Sequence, residues 1–201
     1  MTTSRYILPF TVDPQRTAAF SGYRIEKMPG RAEGCDPNEV RRIVSLRCDV
    51  AIDWLYDRGY NTFISGMATG FDLWAACAVL AARKERPGLR LLAFIPYREQ
   101  QRNYDPLFMR LYYDVLEAAD HAFRLSERYT RSCCLDRNLL MLEHSTALVC
   151  YYDGQPGGTR HTVAHAIRRG GTIIDLCGKK EALSYNRNTD ADLIRQIRAV
   201  R

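Results

Sequence analysis

Short apolar runs alternate along this chain with longer stretches in which apolar side chains recur every three or four positions. The runs predict strands and the stretches predict amphipathic helices. Strands are expected at Thr17–Phe20, Tyr60–Ile64, Leu91–Ile95, His121–Leu125, Ala147–Tyr152 and Thr172–Leu176. Between the first two, Asp36-Pro37-Asn38-Glu39 opens a helix with an N-cap acid, a proline in the first position and a glutamate three residues after the cap. Val40, Val44, Cys48, Ala51 and Leu55 then share one face, and Gly59 closes the helix. A second helix is expected from Phe71 to about Arg86, before Pro87-Gly88. A third starts at Asp105-Pro106 and carries a stripe from Leu107 to Ala119. A short one carries Arg137 and Asn138, and another runs from His161 to Arg169.

Leu91–Ile95 is apolar on both faces, as in a strand covered on both sides. Strands alternating with helices predict an α/β domain: a Rossmann-like, doubly wound, mostly parallel sheet with helices on both faces. Residues 17–177 make up this domain. Residues 1–16 form an N-terminal extension in which Tyr6–Phe10 either adds an edge strand or covers an apolar surface. Residues 178–201 are expected to form a C-terminal extension, polar and mobile up to 188 and helical from Asp190 to Val200.

Composition narrows the function classes. With 201 residues, 46% of them hydrophobic, the chain can build one full core. No apolar run approaches the roughly 18 residues of a membrane span, and the N-terminus lacks a secretory pattern, so a cytoplasmic location is expected. The seven cysteines are scattered, without ligand spacing for zinc or a disulfide framework. Cys133-Cys134 reads as a loop-to-helix junction with one thiol buried. His161 and His165 stand one turn apart, but no glutamate lies between them and no third ligand is evident. No metal and no cofactor is expected. The net charge of +6 permits a polyanion partner, yet the arginines are dispersed rather than clustered, so nucleic acid ranks low among partners.

In a sheet of this kind, ligands bind beyond the carboxyl ends of the strands. Every unusual segment falls at that end: Ser21–Arg24, Ser65–Asp72, Pro96–Gln101, Ser126–Asn138 and Asp153–Thr159. The chemistry suits a phosphorylated ligand bearing ribose. Gly22, Gly66, Gly70, Gly157 and Gly158 allow close backbone approach, although a tight turn accounts for any one of them alone. Ser21, Ser65, Thr159 and Asn138 supply polar groups, and Arg24 and Arg137 supply forked donors for phosphate. Asp72 and Asp153 can accept from ribose hydroxyls and are the candidate catalytic carboxylates, with Glu99 behind them. Tyr23, Tyr97 or Tyr129 can stack on a base. Ser65–Gly70, a strand end followed by a helix start, is the expected first wall of a composite anion site, with Gly157-Gly158-Thr159 as the facing wall and Arg24 and Arg137 as charge partners.

Five ordered segments, Phe20–Arg24, Ile64–Asp72, Ile95-Pro96 with Gln100 or Gln101, Arg137-Asn138, and Tyr152–Thr159, resemble the YpsA-like branch of the SLOG superfamily. That superfamily groups DprA/SMF proteins with LOG-type proteins. The resemblance spans residues 17 to 177 and implies a Rossmann-like domain binding nucleotides or derivatives such as ADP-ribose, in a homodimer. Ser21 and Tyr23 stand where the family often has Thr and His, and Leu142-Glu143 where a Val-Asp pair is common. LOG phosphoribohydrolases carry P-G-G-x-G-T-x-x-E with a catalytic glutamate. Here Pro156-Gly157-Gly158-Thr159 runs into Arg160-His161-Thr162-Val163-Ala164 without one. The expectation is a ligand binder or sensor. The alternatives are a hydrolase of an N-glycosidic or phosphate bond and, last, a DprA-like binder of single-stranded DNA.

Overall fold

The computed structural model describes residues 6–28 and 36–177. Six strands form one parallel sheet: β1 (Thr17–Gly22), β2 (Thr62–Ser65), β3 (Arg90–Ile95), β4 (His121–Arg124), β5 (Ala147–Tyr151) and β6 (Thr172–Asp175). Their order across the sheet is β4-β3-β2-β1-β5-β6. Five helices connect them: α1 (Pro37–Tyr56), α2 (Phe71–Ala82), α3 (Pro106–Ala118), α4 (Cys133–Glu143) and α5 (Gly158–Arg168). The chain steps outward from β1 to β4, then returns through α4 to lay β5 on the other side of β1. Right-handed crossovers running in opposite directions place their helices on opposite faces. Accordingly α1, α2 and α3 pack in a row on one face, and α4 and α5 pack together on the other. Phe20, Phe63, Ile64, Leu92, Val149 and Ile174 are fully buried between these layers. This is the α/β Rossmann-like architecture expected from the alternation of strands and helices.

The two well-capped helices begin where the sequence says they should. Asp36 Oδ1 accepts from the Asn38 N–H at 3.0 Å, and Asp105 Oδ1 from those of Leu107 and Phe108 at 2.9 and 3.0 Å. Most strand ends differ from expectation by one or two residues, and the helices differ by more at two places. α5 begins at Gly158, three residues before His161, because a glycine with φ 152° caps it and no side chain marks the start. α2 ends at Ala82 rather than near Arg86, since Lys84 and Glu85 donate to carbonyls three residues back and tighten the chain into turns. β1 continues to Gly22, two residues past the expected Phe20, and a short 3-10 turn, Ile25–Lys27, follows it.

Residues 6–12 do not pair with the sheet. They form an extended strap, and Tyr6, Leu8, Phe10 and Val12 pack against the core while Ile7 points outward, 90% exposed. The Phe10 ring stacks on His121 of β4 at 4.4 Å and meets Phe94 of β3 edge-on at 6.5 Å. Phe94 also meets His144 at the end of α4, so the strap completes the cover on the α4 face. Residues 178–188 and the helical pattern at 190–200 lie outside the described residues. Among those described, no helix is long and apolar enough to cross a membrane.

Candidate functional site

Strand order reverses between β1 and β5, which opens a crevice at their carboxyl ends. A cavity of about 320 Å³ lies there. Its wall includes Ser21, Gly22, Tyr23 and Arg24 after β1, Lys27 beyond them, and Ala68 and Asp72 from the β2–α2 turn. Cys134, Arg137 and Asn138 come from α4, and Pro156, Gly157, Gly158 and Thr159 from the start of α5. Of the thirteen residues expected to bind ligand, Ser21, Gly22, Arg24, Asp72, Arg137, Asn138, Gly157, Gly158 and Thr159 line this cavity. Ser65, Gly66, Gly70 and Asp153 do not.

The β2–α2 turn is closed on itself. Ser65 Oγ donates to the Asp72 carbonyl at 2.9 Å and accepts from the Met67 N–H at 3.1 Å. The Gly66 carbonyl accepts from Arg137 Nη1 and, at 3.1 Å, from Gln100 Nε2. The Met67 carbonyl accepts from the Tyr104 hydroxyl at 3.0 Å, and the Phe71 N–H donates to the Tyr23 carbonyl at 3.1 Å. Gly70 has φ 81°, and a methyl there would come within 2.8 Å of the backbone of Tyr23 and Ile25. These groups are taken by the protein, and Ala68 and Asp72 are the residues of the turn that reach the cavity wall. The turn serves as a packed floor under the site.

Arg137 braces that floor. Its side chain is 4% exposed; Nη1 also reaches the Phe94 carbonyl at 3.4 Å and stands 4.0 Å from Asp72 Oδ2, while Nε donates to Asn138 Oδ1 at 2.8 Å. Nη2 has no partner among the described residues and belongs to a side chain on the cavity wall. Asn138 Nδ2 donates to Thr162 Oγ1 at 2.8 Å, and Thr162 donates to the Gly158 carbonyl at 3.1 Å. This chain of bonds ties α4 to the first turn of α5. That first turn is open: an added methyl at Gly157 or Gly158 would meet no protein atom within 4 Å. The N–H groups of Gly158, Thr159 and Arg160 have no partner among the described residues. A helix start with free N–H groups carries partial positive charge.

Arg24 and Lys27 are exposed and carry no ion pair among the described residues. With Arg137 they give the cavity three cations against one acid, Asp72. Burial raises the pKa of Asp72, opposed by Arg137, by the N–H groups of Ala68 and Gly22, and by Arg24. Asp72 is thus a buried carboxylate at the start of α2, beside Arg137. Asp153 is engaged elsewhere: it accepts from the Tyr23 hydroxyl and from the Gln155 N–H at 3.1 Å. Burial, then this bond, pushes the Tyr23 hydroxyl well above its ordinary range. Glu99 is exposed beside Arg102 at 3.4 Å. Cys133 is buried and Cys134 half-buried, its thiol pushed up by burial.

Lys27, Ala68, Cys134 and Pro156 line the cavity without having been expected to bind ligand. Cys134 stands three residues before Arg137 on one helical face, and that spacing was a usable signal. Among the described residues, no three metal-binding side chains come together.

Comparison with known proteins places the chain. A UPF0398 protein of Bacillus cereus (strain G9842) is 28% identical over 163 residues, covering 77% of this chain and 84% of that protein. A UPF0398 protein of Bacillus thuringiensis (strain Al Hakam) is 28% identical over 141 residues, covering 69% and 72%. Two solved structures share the fold. DNA processing protein A from Helicobacter pylori has a TM-score of 0.54 at 13% identity, covering 93% of this chain and 81% of that one. DNA processing protein A from Streptococcus pneumoniae has a TM-score of 0.50 at 18% identity, covering 79% of this chain but only 49% of that one, so the match spans about half of the pneumococcal protein. The profile of the YspA SLOG family matches residues 38–171, which hold the β2–α2 floor, the α4 brace and the open start of α5, and the chain belongs to that family.

Proposed function

We propose that the chain binds a phosphorylated, nucleotide-derived ligand such as ADP-ribose at the β1–β5 crevice and holds it unreacted, as a sensor does. The observation that carries this reading is the gathering of Arg24, Lys27 and Arg137 around the open N-terminus of α5. Forked donors, a free ammonium and unpaired N–H groups all suit phosphate oxygens. Asp72, the single acid on the wall, is buried with Arg137 Nη1 4.0 Å from its Oδ2, and the first turn of α5 carries no acid. Cleavage of an N-glycosidic bond calls for a poised carboxylate, which speaks for binding over hydrolysis.

A thermal-shift screen of nucleotides, ADP-ribose and cyclic dinucleotides, with each ligand recovered and analysed, tests the proposal. The expected result is stabilisation by at least one of them, recovered intact. No stabilisation by any member of the set sinks it. Cleavage that disappears in Asp72→Asn would instead favour the hydrolase.

A second reading is binding of single-stranded DNA, the partner named in the description of the Helicobacter pylori protein. Arg24, Lys27, Arg128 and Arg131 are exposed and without ion pairs among the described residues, which favours a polyanion along this rim. Salt-sensitive binding of a short oligonucleotide, stronger than that of any mononucleotide, would put this reading first.

A further inference from the structure

Beside the cavity, two tyrosines from separate loops meet at the carboxyl end of the sheet. Tyr97 follows β3 and Tyr129 follows β4; their rings lie 5.3 Å apart, edge to face at 79°. Tyr97 is half-buried, and Tyr129 is 64% exposed. An aromatic ring this exposed buries little apolar surface, so folding gains little from it. The loop that carries it is nevertheless pinned on both sides. Ser126 Oγ donates to the Arg128 carbonyl at 2.7 Å and accepts from the Arg128 N–H at 3.2 Å, and the Cys133 N–H donates to the Thr130 carbonyl at 3.3 Å.

The pair adjoins the cavity. Burial pushes the Tyr97 hydroxyl above its ordinary range; Cys134 and Cys133 add to the rise and Arg24 opposes it, so all three stand within electrostatic reach. Cys134 and Arg24 are cavity-wall residues. The cations around the tyrosines divide into two sets. Arg98 and Arg124 both pair with Glu127, at 3.7 and 2.6 Å, whereas Arg128 and Arg131, on either side of Tyr129, have no ion pair among the described residues.

The third tyrosine near the cavity is committed. Tyr23 donates its hydroxyl to Asp153, packs 6.3 Å from Tyr152 and is 6% exposed. The cavity itself, at about 320 Å³, sits at the lower end of the range for small-molecule sites. A phosphate and its sugar fit such a volume with room to spare, whereas a ligand as large as ADP-ribose must place part of itself outside it.

We propose that Tyr97 and Tyr129 form a shelf on which the base of the ligand stacks while its phosphate occupies the cavity. The proposal rests on the reading of the cavity given above and narrows the ligand class to molecules that join a planar base to a phosphate. Every base presents a π-face, so the shelf selects for the presence of a base rather than for its identity.

Calorimetric titration with AMP, ADP-ribose and ribose 5-phosphate, on the full chain and on Tyr129→Ala and Tyr129→Phe, separates the possibilities. The expected result is that Tyr129→Ala weakens AMP and ADP-ribose by on the order of tenfold and leaves ribose 5-phosphate within about twofold, while Tyr129→Phe binds as the parent does. Unchanged AMP and ADP-ribose affinity in Tyr129→Ala, or an equal loss for all three ligands, overturns the shelf and leaves the cavity reading standing. Failure of the parent chain to bind any of the three at millimolar concentration overturns both. Tyr129 is exposed, so the melting temperatures of both variants should match the parent and exclude a folding effect.

Discussion

At Gly66 an added methyl would run into the guanidinium of Arg137; at Gly158 it would meet no protein atom within 4 Å. Both glycines stand where a parallel strand gives way to a helix at the same end of the same sheet, in loops of similar composition. In the β2–α2 turn, glycine makes room for protein: Arg137 and Gln100 come in to the Gly66 carbonyl, and the Tyr23–Ile25 backbone crosses Gly70. In the β5–α5 turn, glycine leaves space unfilled, and the free N–H groups of the helix start face it. The first turn contributes rigidity to the site and the second contributes access. A glycine-rich turn therefore has two uses, and the partners of its backbone groups tell them apart.

The contrast can be broken experimentally, most forcefully at Gly70. Gly70→Ala places a side chain at φ 81° within 2.8 Å of backbone atoms, which should cost about 3–4 kcal/mol, or prevent folding altogether. Denaturant unfolding reads the loss, and a cost below about 1 kcal/mol would mean that the floor is not tightly packed.

The next effect lies under the second turn. Asp175 is 2% exposed; its Oδ1 accepts from the Tyr152 and Cys177 N–H groups at 3.2 and 2.9 Å, and its Oδ2 is buried without a partner among the described residues. Burial pushes its pKa up to about 7, with those N–H bonds opposing. Its folded value thus lies above its unfolded one, so the neutral acid is the form the fold prefers. This contribution to stability is complete below about pH 4 and is lost as pH rises through about 7. Between pH 5 and pH 8 the loss amounts to about 2–3 kcal/mol. Asp175→Asn keeps an acceptor and removes the charge, so it should raise the melting temperature at pH 8 and change little at pH 5. A variant equally destabilised at both would contradict this.

A smaller, more selective change is Gly158→Val. It should leave stability within about 1 kcal/mol and weaken a phosphorylated ligand at least about tenfold by filling the open turn. If the ligand binds Gly158→Val as it binds the parent, phosphate does not sit there. Smallest is Arg24→Ala. Removal of one exposed cation should weaken binding by a few-fold and flatten its salt dependence, with no change in melting temperature.

The order of strands and helices was readable because each element is uniform in pattern: a continuous apolar run at Leu91–Ile95, a capped start at Asp36 and at Asp105. The start of α5 was not, because its cap is glycine and leaves no side-chain mark. The site was readable as a set of loops and unreadable as a partition among them. Nothing in Ser65–Gly70 announces that Arg137, 71 residues beyond Gly66, donates to the Gly66 carbonyl. Asp153 likewise looked available until Tyr23, 130 residues away, was found on its carboxylate. Composition reports which groups a loop can offer; only long-range contacts report which remain on offer.

The strap at residues 6–12 bears on how the protein should be cut for experiment. A fragment trimmed to the first strand, starting at Thr17, would lose Phe10 from against Phe94 and His121, and with it Leu8 and Val12 from against the core. A piece that keeps these contacts includes the chain from Tyr6 onward. A tag or fusion partner belongs upstream of that residue, so that the strap keeps its place against the sheet.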